Sequence, residues 1–359
     1  MAEAAPPAKK KKSNWAHVFT VGALAVGLGA LAWTIYSVGI YELWHNLEKV
    51  GWWFFAIMGL EVIISSLDAA AMHRFMSPDH TMIPYSRTLL AQVSGRAVNV
   101  VVPSGNVGEV VKVSVLVEGG VPDSRAVAGI VVYNLAGLLA ELAMVAVGAP
   151  IMAVAVPMGW GLRAVLFGAA GFSVVVGLAL LVLVQKGMLV SFARMFRRMR
   201  LISQPRFERW SQKLGAIDAK IRIEPGPQLR DRWIGIGIVF LSRSMSWSLT
   251  AVLLHAVGQP ITFGYYAAIT VGGFAVYLIA TLVPFGLGIS EGGNAALFKA
   301  LGIDPAIGVA TALAKRVRDI AYATIGLVLL LASETVQEAR ARSKRRSMQM
   351  PAQPGPDGG

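Results

Sequence analysis

Two stretches of this sequence set proline, glycine and glutamate together within otherwise apolar chain. Val102-Pro103-Ser104-Gly105 leads to Glu109, six residues after the proline, and Val283-Pro284-Phe285-Gly286 leads to Glu291, seven residues after it. Proline removes a backbone donor and glycine loosens the chain, so together they end a helix. A helix restarting beyond such a break offers free amides and the positive end of its dipole, which suits an anion. Gly105, Gly108, Glu109, Gly286, Gly288 and Glu291 are therefore candidate substrate-binding positions. Each glutamate could accept helix-terminal amide bonds or carry a proton. The plainer alternative is two ordinary helices kinked by Pro and Gly.

Ionisable residues also stand inside the apolar runs. Glu61 and Asp68 are seven apart and share one helix face, Glu141 follows Asn134 by the same interval, and Arg243 sits among Ser242, Ser244, Ser246, Ser248 and Thr250. A charge at the bilayer centre costs on the order of 2.5 to 3.5 kcal/mol on insertion scales. Glu61, Asp68, Glu141 and Arg243 must therefore face a polar cavity and find partners there, which makes them candidates for proton or ion coupling. Arg96, Lys112, Lys315, Arg316, Arg318 and Asp319 flank the same region. A phosphate-bearing headgroup would need fixed cationic donors, and arginine's planar fork suits phosphate better than lysine's point charge. That ranks Arg96 and Arg316 before Lys112, unless Arg316 simply pairs with Asp319 one helical turn on.

Catalytic chemistry has less to stand on. There is no cysteine, the five histidines stand singly without zinc spacing, and no GxSxG elbow, P-loop or dinucleotide fingerprint occurs. Neither a cofactor nor a metal is called for. Without an ATP site, any transport is passive or ion-coupled.

The elements that position these residues must live in lipid. Of the 359 residues 55% are hydrophobic and 15% charged, against ~25% charged in a soluble domain, which excludes a water-soluble globule. A net charge of +13 would suggest nucleic acid in a soluble protein, but here the basic residues gather at the ends of apolar runs. Runs at 15–36, 52–72, 126–147, 162–184, 233–257, 263–283 and 305–332 reach the ~20 residues of a span. Residues 186–232 hold twelve Lys and Arg, whereas the connections at 39–50, 149–160 and 258–262 hold one, Lys49. The positive-inside rule makes the first segment cytoplasmic and the others external. Within it, Leu189, Phe192, Phe196 and Met199 alternate with Arg194, Arg197, Arg198 and Arg200, a pattern for a helix lying on anionic headgroups.

The polar tails at 1–12 and 336–359 lack the apolar surface to order themselves, and their basic residues place both in the cytoplasm. Two cytoplasmic termini require an even number of crossings, so one further crossing lies in a broken segment, 88–117 or 283–301. The expected fold is all-α: a polytopic integral membrane bundle over residues 13–335 with 7–8 transmembrane helices. Its two broken or re-entrant segments form an internal repeat.

The run from Leu90-Ala91-Gln92-Val93-Ser94-Gly95-Arg96-Ala97-Val98-Asn99 into Pro103-Ser104-Gly105-Asn106-Val107-Gly108-Glu109-Val110-Val111-Lys112 resembles the first signature of the lysylphosphatidylglycerol synthase transmembrane family, a flippase-like membrane domain. Pro284-Phe285-Gly286-Leu287-Gly288-Ile289-Ser290-Glu291 resembles its second signature, and Lys315-Arg316-Val317-Arg318-Asp319 the arginine-led start of its final helix. The resemblance covers about residues 15 to 335 and adds Asn99 to the binding candidates. Lys112 stands where the family commonly has arginine, and Tyr133 and Asn134 where it commonly has an acidic and basic pair. The chain as it stands carries the flippase-like half without an aminoacyl-transfer domain. The resemblance implies a phospholipid or isoprenoid-lipid transporter of the bacterial inner membrane, with membrane lipids, anionic ones foremost, as its partners and no nucleic acid. Two other classes stay open: a non-catalytic partner of a lipid- or glycan-synthesising membrane enzyme, and a lipid-modifying transferase using Glu109 or Glu291 as base.

Overall fold

The computed structural model describes residues 51–349 apart from 78–80, 82, 103–106, 158, 188–189, most of 192–203, 222–227, 257–261 and 281–288. The expected first span and Gly105, Gly286 and Gly288 lie outside the described residues, as does most of the lipid-facing pattern at 189–200. Every regular element among the described residues is a helix: α1 (Trp53–Phe75), α2 (Tyr85–Val101), α3 (Val107–Glu118), α4 (Asp123–Ala155), α5 (Trp160–Gln185), α6 (Gln204–Ile221), α7 (Gln228–Ala256), α8 (Phe263–Ala280), α9 (Ile289–Ala300) and α10 (Pro305–Gln349).

Polarity is distributed as in a protein whose solvent is lipid. Phe55, Val62, Phe167, Phe172, Val175 and Phe240 lie exposed on the outside, while Glu61, Asp68, Gln92, Lys112 and Ser242 are buried. In water this arrangement would expose apolar surface and desolvate charge at once; in hydrocarbon it keeps the polar groups together and away from the tails. Four segments are long and apolar enough to cross a membrane: Trp53–Phe75, Asp123–Ala155, Arg163–Gln185 and Leu229–Ala256. They fall on four of the expected spans. α8 is apolar but has 18 residues, and the uncharged run of α10 between Asp319 and Glu334 is too short to cross by itself.

On α1 the buried residues Ile57, Glu61, Ile64, Ser65, Asp68, Met72 and Phe75 recur every three or four positions, one face of a helix. That face meets α7 antiparallel. Ile57 and Ile64 pack with Leu249 and Leu253, Ser242 meets Asp68, and Arg74 bonds Asp231 at 2.9 Å.

α2 and α3 fold back on each other. The Arg87 Nε donates to the Val115 carbonyl at 3.0 Å near one end of the pair, and the Gly108 amide donates to the Asn99 side chain at 2.7 Å near the other. The helices have 17 and 12 residues, each shorter than a span. Their close approach depends on glycine, because a Cβ on Gly108 would overlap the Gly95 carbonyl and the Asn99 amide. α3 ends at Gly120, φ 108°, with Val121 N bonding Leu116 O at 3.2 Å and Gly120 N bonding Val117 O at 3.0 Å, a Schellman closure. α9, also 12 residues, ends the same way at Gly302, φ 73°, with Ile303 N to Phe298 O at 2.9 Å and Gly302 N to Lys299 O at 3.0 Å. Pro122 then precedes α4 and Pro305 begins α10, where a missing amide costs nothing.

The basic segment is folded against the bundle. Ile217 and Ile221 of α6 pack on Ala128 and Val131 of α4, and Lys220 bonds Ser124. Where composition sets a disordered tail from residue 336, α10 instead runs on to Gln349. Gln337-Glu338-Ala339-Arg340-Ala341-Arg342 are mostly strong helix formers that extend an existing helix without a new nucleus.

Candidate functional site

Residues of α1 to α4 and of α7 to α10 line a cavity of about 830 Å³. Four groups of paired charges stand on or directly behind its wall. In the first, Glu61, 1% exposed, is the acid for two arginines. Arg96 pairs with its Oε1, and Arg318 Nη1 lies 3.4 Å from its Oε2. The Arg96 guanidinium stacks 4.7 Å from the centre of the Tyr322 ring, and Ser65 Oγ donates to the Tyr322 hydroxyl at 2.9 Å. Arg318 also donates to Asp319 Oδ1 through Nε at 3.1 Å and Nη2 at 2.6 Å.

The second group surrounds Asp68, seven residues on from Glu61 and so on the same face of α1. Ser242 Oγ donates to it at 2.6 Å and Gln92 Nε2 at 3.4 Å. The Tyr133 hydroxyl accepts from Gln92 at 3.1 Å and from Arg243 at 3.2 Å. Arg243 is shared between two acids at longer range, 4.0 Å from Asp68 and 3.8 Å from Glu141. Gly137 makes room for it, since a Cβ there would stand 3.0 Å from a guanidinium nitrogen.

The third group lies at the first turn of α3. Glu109 accepts from Lys112 at 3.0 Å, from Asn99 at 3.2 Å and from Asn134 at 3.1 Å. Asn99 thereby serves twice, as its carbonyl also receives the Gly108 amide and caps the start of α3. In the first turn of α9, Glu291 binds Arg316 of α10 at 2.7 Å.

The positions singled out by sequence therefore divide. Arg96, Asn99, Lys112, Arg316 and Asp319 line the cavity, as do Glu61, Asp68, Glu141 and Arg243. Glu109 and Glu291 stand behind that wall and reach it through Lys112, Asn134 and Arg316. Gly108 is engaged in the contact between α2 and α3. The pairing of Arg316 with Asp319 does not occur: Asp319 is held by Arg318 and Arg316 by Glu291. Gln92 and Tyr133 of the wall, and Tyr322 stacked on Arg96, carry no charge and escape a search for charged groups. Gln92 precedes Arg96 by four residues and Tyr322 follows Arg318 by four, a helical spacing that marks both as facing the same way.

Comparison with protein families matches the chain to the model described as lysylphosphatidylglycerol synthase TM region, over residues 20–326. None of the curated proteins compared with the chain matches it.

Proposed function

The chain belongs to the lysylphosphatidylglycerol synthase TM region family, and on that premise we propose that this membrane protein of lipid-related function carries a phosphate-bearing lipid between the leaflets of a bacterial inner membrane, without ATP. The observation that carries the reading is the cavity. At about 830 Å³ it falls within the ~300–1,000 Å³ of small-molecule sites. It is walled by charge, while the outside of the bundle is apolar. A headgroup finds polar partners inside such a bundle and the acyl chains find lipid outside it, so neither part of the molecule is stranded during transfer.

Two further features support transport. The α2–α3 pair and the α8–α9 pair each place a Pro- and Gly-containing break before a 12-residue helix with a glutamate at its third position. We read these as re-entrant segments of an internal repeat, with both termini cytoplasmic and an even number of crossings. Glu109 takes an ammonium and two amides and does not itself line the cavity, which disfavours its use as a transferase base, since a base must lie within hydrogen-bond reach of its substrate.

The test is a liposome assay with the purified protein, fluorescent anionic, zwitterionic and polyprenyl lipids, and no nucleotide. The expected result is transfer of at least one phosphate-bearing lipid. Glu109→Ala and Glu291→Ala should insert normally and transfer about tenfold more slowly or less, the scale of one charged hydrogen bond lost. No transfer of any lipid by the wild type overturns the reading. Co-purification of a lipid-synthesising enzyme, or chemical conversion of the lipid, would then point to the partner or the transferase class.

A further inference from the structure

Among the described residues the cavity cations pair off with one exception. Arg96 and Arg318 share Glu61, Lys112 has Glu109, Arg243 has Asp68 and Glu141, and Arg316 has Glu291. Lys315 also lines the cavity, from α10, yet among the described residues nothing forms an ion pair or hydrogen bond with it. Asp319, one turn further along α10, is taken by Arg318 through two nitrogens. A cation set inside a bundle without a counter-charge is costly, and an anionic ligand would remove that cost.

The two halves of the molecule show why the open cation falls here. Glu109 and Glu291, 182 positions apart, bond Asn134 and Arg316, which are separated by the same 182 positions. The correspondence sets Tyr133 against Lys315. In the first half that position is closed, because the Tyr133 hydroxyl accepts from both Gln92 and Arg243. In the second half it is a lysine with no ion-pair or hydrogen-bond partner among the described residues. Resting on the lipid-transport reading above, we propose that Lys315 is the residue that receives the phosphodiester of the transported lipid, while Arg96 and Arg316 hold the bundle through Glu61 and Glu291. A lysine suits a ligand that must also leave, because a point charge on a flexible stem binds phosphate without the fixed two-point geometry of arginine.

The experiment compares wild type with Lys315→Gln, Lys315→Met and Lys315→Arg in nanodiscs. It measures affinity for fluorescent phosphatidylglycerol and for a glycosyl diacylglycerol that has no phosphate. The Gln and Met variants should bind phosphatidylglycerol about tenfold more weakly, with the glycolipid unchanged, and the Arg variant should stay within about threefold of wild type. Thermal unfolding should be unchanged in the Arg variant and at or above wild type in the Gln and Met variants, which remove an unpaired charge, and the Met variant stands in should the Gln variant fail to fold. Competition with inorganic phosphate and with glycerophosphoglycerol separates the two sources of the anion. Displacement by either soluble phosphate assigns the site to phosphate as such, and displacement by lipid alone assigns it to the lipid headgroup. Undiminished phosphatidylglycerol affinity in both the Gln and Met variants overturns the proposal. Because the readout is binding, a wild type that binds through Lys315 but transfers no lipid would sink the transport reading and leave this site standing.

Discussion

Glu61 is the most consequential single charge in the bundle, because one buried carboxylate serves both Arg96 and Arg318. Removing one member of a buried ionic group leaves the others uncompensated, at a cost of about 3 kcal/mol or more. Glu61→Gln should therefore lower unfolding stability in detergent by about that amount. Adding Arg318→Gln should restore part of the loss, since contacting charges do not act additively. A double variant no more stable than Glu61→Gln would show that Arg318 does not depend on Glu61. Arg316 behaves differently. It meets Glu291 at 2.7 Å, and lysine keeps that charge, so Arg316→Lys should cost less than about 1.5 kcal/mol, the scale of one hydrogen bond, and leave lipid preference as in wild type. A changed preference would return Arg316 to the list of ligand-binding groups.

At the scale of elements, the α2–α3 hairpin is limited by how closely two backbones can approach. A Cβ on Gly108 meets a backbone carbonyl, that of Gly95, as well as the Asn99 amide, and a carbonyl inside a helix cannot step aside. Gly108→Ala should destabilise by about 3 kcal/mol, the upper end of overpacking costs. Gly302 provides the contrast, since its surroundings are open and only its φ of 73° resists a side chain. Gly302→Ala should cost about 1 kcal/mol. Urea unfolding of both variants checks the order, and a milder effect at Gly108 would mean that the two helices stand further apart. The lengths of α3 and α9 follow from their ends, a Pro- and Gly-containing break before each and a left-handed glycine after each.

For the whole molecule the open question is orientation, which charge decides. The twelve Lys and Arg of residues 186–232 resist translocation, and α6 within that segment packs on the first turns of α4, so the start of α4 belongs on the same side. Single cysteines can be introduced freely because the chain has none. Replacements of Ser211 and Ser347 should stay unlabelled by an impermeant thiol reagent in intact spheroplasts, and one of Asn46 should label. Labelling at residue 347 would make the number of crossings odd and place the end of α10 outside.

Much of this was decided by the order of residues alone. Spans depend on local composition, since a run of apolar residues must enter lipid, and the four helices long enough to cross fall on runs that the sequence marks. The inward face of α1 was legible for the same reason, since Glu61 and Asp68 lie at helical spacing and neither can face hydrocarbon. Partnership was not legible. Asp319 is the near neighbour of Arg316 along α10, yet the contact goes to Glu291 on another helix, and Tyr133 and Gln92 became part of the polar wall only because α2, α4 and α7 converge there. Sequence fixes which groups cannot be left in lipid. Which of them neutralise one another, and that Lys315 faces the cavity without a partner among the described residues, is decided by the packing of helices far apart in the chain.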